Sequence, residues 1–220
     1  MSEDVREVDA RLVQAYGDKN PYRRGDVLSV LIRTILSQNT SRTNTNKAFE
    51  SLQQRFDSWE VLAETDETEI ADAIRSGGLA NQKASRIRAI VREIIDEREE
   101  ASLEWLDELD TPEATEYLEH FKGVGPKTSA CVMLFALGRP VFPVDTHVHR
   151  VAIRLGWIVP DTSAENAHEI LGEMVPSEVA YRLHVNLIAH GRQMCHPQSP
   201  ECGECPLFDV CDWGQAHGPG

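Results

Sequence analysis

The sequence of 220 residues lacks any long hydrophobic run. No stretch approaches the roughly 18 uninterrupted apolar residues that a membrane-spanning helix needs. The first ten residues, MSEDVREVDA, are acidic and polar, unlike the apolar centre of a secretory signal. Apolar residues make up 41% of the chain and charged residues 26%, which is typical of a globular protein with one large or two small domains. We therefore expect a cytoplasmic protein with no membrane partner.

Basic residues are also scarce. The chain has 22 lysines and arginines against 36 aspartates and glutamates, which gives a net charge of −14. Taken alone, this charge argues against a nucleic-acid partner, because lysine and arginine carry most phosphate binding. The excess of carboxylates has two explanations. One is a GC-rich coding bias, and the other, which we favour, is an acidic surface that keeps a protein soluble in high salt.

The alternation of apolar and polar residues that marks a half-buried strand is missing as well. Apolar residues recur at helical spacing instead, for example at Leu28, Leu31, Ile32 and Ile35. Thr111 and Pro112 predict a helix that starts at about residue 112 with Thr111 as its N-cap. Further helices are expected at 67–76, 126–138, 146–155, 164–174 and 177–190. The sequence therefore predicts an all-α protein of about ten helices joined by short loops.

Cysteines are few, but four of the five fall within the last 26 residues. Cys195, Cys202, Cys205 and Cys211 have the spacing C-x6-C-x2-C-x5-C. Four thiolates in one short segment can bind zinc or an iron–sulfur cluster. Zinc sites usually use two close C-x2-C pairs, whereas only one such pair occurs here, so we favour a compact [4Fe–4S] cluster. The alternative is four unrelated structural cysteines, and burial as a small apolar residue explains Cys131.

The segment HFKGVGPKTSACVMLFALG, residues 120–138, predicts a helix, a tight turn and a second helix. Gly123 and Gly125 allow positive φ angles and a close approach of the backbone to another molecule. Pro126 fits the first position of the second helix. The N–H groups of the turn, including that of Val124, would then point outward at a helix N-terminus and form an anion site. The alternative is an ordinary connection between two helices.

Lys127 stands at the start of this second helix, where the helix dipole disfavours an ammonium group. Partial burial would add a desolvation penalty, and both effects favour the neutral amine, which is a nucleophile. The alternative is an exposed lysine that binds phosphate. Asp145, in VFPVDTHVHR, is either an acid/base partner for such a lysine or only the N-cap of the next helix.

These motifs together resemble the helix-hairpin-helix DNA glycosylases of the endonuclease III family. GVGPKTSACV and the later VDTHVHR resemble the hairpin and aspartate segments of the family, and the cysteine spacing matches its [4Fe–4S] loop. ILSQNTSRTNTNKA at 35–48 and GGLANQKASRIRAI at 77–90 resemble two further segments in the same order. The resemblance covers about residues 22–212, nearly the whole chain.

The resemblance implies a base-excision-repair enzyme that binds damaged or abasic double-stranded DNA as a monomer, near the chromosomal DNA. It implies a six-helix barrel domain at 23–140 and a cluster domain made of 1–22 and 141–220. Lys127 would attack C1′ of a flipped nucleotide, expel an oxidised pyrimidine of the thymine-glycol type, and nick the strand by β-elimination. Asp145 would assist deprotonation and stabilise positive charge at the sugar.

The resemblance also implies DNA contacts. The family often reads S-A-Q-A-T-D where this chain reads SQNTSR at 37–42, so either Gln38 or Asn39 would fill the gap left by the flipped base. Leu79 would wedge into the opposite strand. Amides of Gly123, Val124 and Gly125 would bind phosphate. Candidate basic contacts to phosphate are Lys83, Arg86, Lys122 and Arg150, and the alternative for each is a solvated helix face. His147 either orients the site or forms a structural hydrogen bond. The alternative for the gap-filling and wedge residues is an ordinary loop or core position.

Other functions compete with this one. Within the family, a uracil or thymine mismatch glycosylase is the closest alternative, and an adenine glycosylase is disfavoured because such enzymes normally lack the lysine. From other classes, the candidates are a non-catalytic iron–sulfur electron carrier or DNA-binding protein and a zinc-stabilised DNA-binding module. An electron carrier would need neither the hairpin nor Lys127. Visible absorbance and iron content distinguish the zinc module, because zinc sites are colourless.

Overall fold

The computed structural model describes residues 2–218, and within them the chain is all-helical, which confirms the predicted fold class. The α-helices are α1 Ser2–Tyr16, α2 Val27–Leu36, α3 Arg42–Arg55, α4 Trp59–Glu64, α5 Glu67–Ala73, α6 Ala80–Arg98, α7 Thr111–His120, α8 Pro126–Phe135, α9 Thr146–Arg154, α10 Ala164–Met174, α11 Ala180–Gln193 and α12 Asp212–His217. Short 3-10 helices lie at Arg75–Gly77, Glu104–Glu108, Cys202–Glu204 and Phe208–Val210. Each helix in this part of the chain is too short or too polar to cross a membrane.

The chain divides into two compact units. One unit comprises residues 23–137, and the other combines the chain up to Tyr22 with the chain from Gly138 onward.

In the unit 23–137, α2 and α8 form the centre and pack against each other. Eight of the residues of α2 are buried, and all residues of α8 from Thr128 to Phe135 are buried. Helices that are apolar on all sides take such interior positions because water contact on any face would be unfavourable. The loop after α2 and the loop before α8 are therefore each anchored to a buried helix.

In the other unit, α1 and α9 both pack against α11. The core of this unit includes Val8, Leu12, Val148, Val151, Leu183 and Leu187. Cys195 and Leu207 belong to the same core, so the cysteine segment packs against the helices of this unit.

Helix ends differ from the expectations where turn chemistry overrides the periodic pattern. Asp110, not Thr111, caps α7, because its carboxylate accepts the Glu113 N–H at 2.8 Å while the Glu113 carboxylate accepts the Asp110 N–H. The helix expected at 67–76 ends at Ala73, and the short 3-10 helix Arg75–Gly77 follows it. The helix expected at 177–190 starts at Ala180, because the carbonyl of Pro176 accepts the N–H of Val179 in a preceding turn.

Candidate active-site hairpin and cluster loop

The connection between α7 and α8 is a tight hairpin held at both ends. The Val124 N–H donates to the Phe121 carbonyl at 3.0 Å, and Val124 is only 4% exposed. The Ser129 hydroxyl donates to the Glu119 carboxylate at 2.6 Å, which joins α8 to α7. Lys122 lies exposed on the turn. The hairpin therefore presents a fixed loop at the N-terminus of a buried helix, which is the geometry of an anion site.

Gly123 is required by the backbone and by its neighbour. Its φ angle is +85°, in the left-handed region, and a Cβ there would overlap the guanidinium of Arg86. Arg86 Nη1 donates to Gln38 Oε1 at 2.8 Å and lies 3.5 Å from the Gly123 carbonyl. The arginine thus lies against the hairpin, where a side chain on residue 123 would displace it.

We expect Gly123→Ala to lower the free energy of unfolding by about 1–3 kcal/mol, because left-handed backbone strain and displacement of Arg86 add together. Chemical denaturation monitored by circular dichroism measures this change. Gly125→Ala is the matched control: Gly125 has a φ of −118° with open space around its Cβ position. Gly125→Ala should lower the free energy of unfolding by less than about 1 kcal/mol, which is the cost of a poorer N-cap. Equal losses in the two variants would contradict this account of Gly123.

Lys127 is the second residue of α8 and is half-buried. Within residues 23–137, no carboxylate or carbonyl forms an ion pair or a hydrogen bond with its Nζ. The carbonyl of Gly125 accepts the N–H groups of Thr128 and Ser129, so the first turn around Lys127 is well formed. The amine of Lys127 therefore forms no structural contact within its own unit. It lies near the positive end of the dipole of α8.

The loop after α2 distinguishes the two candidates for the gap-filling residue. Gln38 is half-buried, and its side chain bonds inward to Arg86 at 2.8 Å and lies 3.4 Å from both the Gly123 carbonyl and the Thr128 hydroxyl. Asn39 is exposed and has a φ of +53°. Asn39 is thus the more exposed of the pair, and which of the two fills the gap in DNA stays a prediction.

The loop before α6 presents Leu79 to solvent. Leu79 is 52% exposed and has a φ of +49° and a ψ of 37°. A left-handed conformation in a residue other than glycine costs about 1–2 kcal/mol. An exposed leucine held in such a conformation fits an apolar wedge better than a core residue, although its contact with DNA stays a prediction.

The expectation that Lys83 contacts phosphate is wrong. Lys83 is 2% exposed, and its Nζ donates to the carbonyls of Leu36, Gln38 and Gly77 at 2.7, 2.7 and 2.8 Å. Burial, followed by the nearby Arg86 charge, lowers the pKa of Lys83. The resemblance placed Lys83 among the candidate phosphate contacts, but its amine binds the loops of its own unit.

Asp145 is the N-cap of α9. Its Oδ1 accepts the N–H groups of His147 and Val148 at 2.9 and 2.8 Å. The capping role predicted as one alternative is thus present. It uses only one carboxylate oxygen, and none of the described residues of the same unit, 2–22 and 138–218, is hydrogen-bonded to Oδ2. The cap therefore fixes the carboxylate while leaving one oxygen for another task.

His147 and Arg150 connect this cap to the start of the cysteine segment. Arg150 Nε donates to the Cys195 carbonyl at 3.1 Å, and its Nη2 donates to the Gly191 carbonyl at 2.7 Å and lies 3.2 Å from His147 Nδ1. Burial is the main cause that lowers the pKa of His147. Arg150 thus has an internal structural role in this unit, and its contact with phosphate stays a prediction.

The four predicted cysteine ligands line one cavity. Cys195 and Cys202 are each 8% exposed, and Cys205 and Cys211 are half-buried. Burial raises the pKa of the Cys205 thiol to about 11 and also raises those of Cys202 and Cys211. Thiols with raised pKa values stay protonated near pH 7, so these cysteines are not reactive thiolates. Their grouping in one cavity is what suits them to hold a metal centre.

Two residues that the sequence did not single out surround these sulfurs. Arg154 Nη1 donates to Cys195 Sγ at 3.0 Å and to the His196 carbonyl at 2.7 Å. His190 Nε2 lies 3.8 Å from Cys205 Sγ, and its Nδ1 is 3.0 Å from the Tyr16 hydroxyl. Burial lowers the pKa of His190 to about 4, so it is neutral near pH 7. Hydrogen bonds to sulfur are the protein's usual means of tuning an iron–sulfur cluster, so the donor set fits one.

Comparisons with known proteins agree with this geometry. Residues 32–177 match the model of the HhH-GPD superfamily base excision DNA repair protein, and residues 195–211 match that of the iron–sulfur binding domain of endonuclease III. The second match confirms the prediction of an iron–sulfur cluster. The chain is 32% identical over 220 residues to endonuclease III of Thermotoga maritima, covering 100% of this chain and 96% of that one.

Two solved structures extend the likeness to the fold. The structure of a non-covalent endonuclease III–DNA complex superposes with a TM-score of 0.84 at 27% identity, covering 98% of this chain and 97% of that chain. The structure of a trapped endonuclease III–DNA covalent intermediate superposes with a TM-score of 0.82 at 27% identity, covering 98% of both chains.

Proposed function

The chain belongs to the HhH-GPD superfamily of base excision DNA repair proteins, in its endonuclease III branch, and we propose that Lys127 is the nucleophile with which it excises oxidised pyrimidines. The enzyme is a DNA glycosylase with AP lyase activity. Its substrates are damaged bases of the thymine-glycol type and abasic sites in double-stranded DNA, which it binds as a monomer. Its place in the cell is with the chromosomal DNA.

The observation that carries this proposal is the position of Lys127. Lys127 is half-buried at the N-terminus of α8, and its amine has no partner in its own unit. The neutral amine attacks C1′ of the flipped nucleotide, and the bond from C1′ to the base breaks with its electron pair leaving on the base. Opening of the sugar ring gives a Schiff base between Nζ and C1′. Loss of a proton from C2′ then expels the 3′ phosphate by β-elimination, and water releases the lysine.

Asp145 is the proposed carboxylate partner. As the cap of α9 it keeps one oxygen bonded to two backbone amides, and its other oxygen accepts the proton that the attacking amine loses. Its negative charge also stabilises the positive charge that develops at C1′ as the base departs.

DNA contacts follow from the same loops. The hairpin amides of Gly123 and Gly125 and the exposed Lys122 bind backbone phosphate, whereas the Val124 N–H is already used by the Phe121 carbonyl. Asn39 fills the gap left by the flipped base, and Leu79 enters the opposite strand. A protein of net charge −14 gains less from phosphate neutralisation than a basic one, so these backbone and wedge contacts carry more of the binding.

Cys195, Cys202, Cys205 and Cys211 are the proposed ligands of the cluster, which is of the [4Fe–4S] type. The four sulfurs line one cavity within a single loop. When bound, a four-thiolate centre fixes the fold of this loop. Residues 1–22 and 141–220 form the proposed cluster domain, and residues 23–140 the domain that carries the hairpin.

Borohydride trapping tests the function. Purified protein is mixed with three duplexes, one with thymine glycol opposite adenine, one with a G·T mismatch and one with an abasic site. We expect a borohydride-dependent adduct on the first and third duplexes. Adducts on the mismatch and abasic duplexes but not on the thymine-glycol duplex, with release of thymine from the mismatch, would instead show a mismatch glycosylase. No adduct on any duplex, in protein whose iron content and visible absorbance show a full cluster, would contradict the lysine mechanism.

A further inference from the structure

Lys83 is a buried lysine whose three ammonium N–H groups are all used by main-chain carbonyls. Its Nζ donates to the carbonyls of Leu36, Gln38 and Gly77 at 2.7, 2.7 and 2.8 Å. An ammonium group has three donors, so this set is complete. No carboxylate of residues 23–137 is among its partners, and the role of Lys83 is thus to hold backbone rather than to neutralise a charge.

The three carbonyls belong to the loops that carry the two protruding side chains. Leu36 is the last residue of α2, and Gln38 precedes Asn39 in the loop that follows. Gly77 lies two residues before Leu79. Asn39 and Leu79 both have left-handed backbones and both are exposed. One buried cation thus links the loop of Asn39 to the loop of Leu79.

A lysine is an unfavourable choice if packing is the only requirement. Taking a charge out of water is costly, and an apolar side chain of similar size fills the same space without that cost. Its use here requires something that an apolar residue cannot do, which is to hold carbonyls of two loops at one point. Strained backbone such as that of Asn39 and Leu79 persists only where the surroundings determine it.

Arg86, one turn further along α6, extends the same linkage to the hairpin. Its Nη1 donates to Gln38 Oε1 at 2.8 Å and lies 3.5 Å from the Gly123 carbonyl. The loop of Asn39 is therefore attached from one side to the loop of Leu79 and from the other to the hairpin. All three loops are positioned from one face of a single helix.

We propose that Lys83 is a positioning residue for base extrusion, which holds the loops of Asn39 and Leu79 at the spacing that lets both side chains enter the duplex together. This inference rests on the proposed function, in which Asn39 and Leu79 enter DNA. It assigns to Lys83 no contact with substrate.

The test is to separate base extrusion from the chemistry that follows it. Lys83→Met keeps the volume and removes the three donors, and Lys47→Met, at an exposed lysine on α3, is the control for loss of a lysine. Two rates are measured at saturating enzyme: excision of thymine glycol paired with adenine, and strand cleavage at a preformed abasic site. An abasic site has no base to unpair, so it depends less on extrusion.

We expect Lys83→Met to lower the excision rate about 100-fold and the abasic-site cleavage rate less than about 5-fold. Fluorescence of 2-aminopurine opposite the lesion, which reports insertion into the duplex, should fall in parallel with excision. Lys47→Met should change neither rate. A variant with both rates lowered equally, or with neither changed, would show a merely structural lysine and would overturn the inference.

Two further measurements keep the result decisive. If Lys83→Met does not fold, Lys83→Gln retains two donors, and the same separation of rates is then required of it. Asn39→Ala and Leu79→Ala are measured alongside. If they leave excision unchanged, the proposed insertion of these residues is wrong; if they lower excision while the Lys83 variants do not, only the positioning role is wrong.

Discussion

Replacement of Lys127 with alanine is expected to abolish the borohydride-trapped adduct on both thymine-glycol and abasic duplexes. The nucleophile has no substitute in the proposed mechanism, so strand cleavage should fall by about 10⁴-fold or more. Stability should change by less than about 0.5 kcal/mol, because Lys127 is half-buried, has no partner in its own unit, and alanine is a good helix former. Gel analysis of trapped protein–DNA species and thermal unfolding measure the two quantities.

Lys122→Ala is the matched control for this experiment. It removes the same charge from the same hairpin at an exposed position. We expect weaker DNA binding from this variant, but an adduct that still forms when enzyme is saturating, because a phosphate contact affects affinity rather than bond formation. An adduct that persists in Lys127→Ala would show that another amine attacks the sugar and would remove the basis of the proposed mechanism.

The helical architecture could be predicted from the sequence because the apolar spacing is regular and turn residues interrupt it. Helix α10 begins and ends where the pattern predicts, at Ala164 and Met174, since Ser163 caps one end and Pro176 follows the other. The start of α7 was misplaced by one residue, although the signal was present. Asp110 and Glu113 have the spacing of a capping box, and that reciprocal pair outweighs Thr111 as a cap.

The role of Lys83 could not be predicted in the same way. Two of its three acceptors, the carbonyls of Leu36 and Gln38, lie 47 and 45 residues away along the chain. Backbone carbonyls carry no sequence signature, and their direction depends on how α2 and α6 pack. The resemblance placed Lys83 among the phosphate contacts, whereas the tertiary fold turns its amine inward.

The difference between Gln38 and Asn39 is an intermediate case. The motif alone allowed either residue to fill the gap in DNA. Asparagine tolerates a left-handed backbone better than glutamine, which is a local clue in favour of Asn39. The other argument for Asn39 is the inward hydrogen bond from Arg86 to Gln38, which depends on the fold. Local chemistry, such as the backbone preference of asparagine, can be predicted from the sequence. Contacts with backbone carbonyls and with distant side chains, such as those of Lys83 and Gln38, depend on the tertiary fold.

Asp145→Asn should separate the two roles that the sequence left open for this residue, helix cap and carboxylate partner. Asparagine caps helices as well as aspartate does, so its Oδ1 can still accept the N–H groups of His147 and Val148. The unfolding free energy should therefore change by less than about 0.5 kcal/mol. The excision rate should fall by about 10²–10⁴-fold, because the amide neither accepts a proton nor stabilises positive charge. Single-turnover excision of thymine glycol and chemical denaturation measure these quantities.

Asp145→Ala completes the comparison. It loses both functions, so we expect the same fall in rate together with a loss of about 1 kcal/mol in stability from the missing cap. If Asp145→Asn instead keeps the wild-type rate while Asp145→Ala loses it, the residue acts only by starting α9 and the carboxylate has no chemical role. A slow but fully stable Asp145→Asn enzyme would mean that the cap holds the carboxylate in place, with one oxygen bound to the helix and the other available for the reaction.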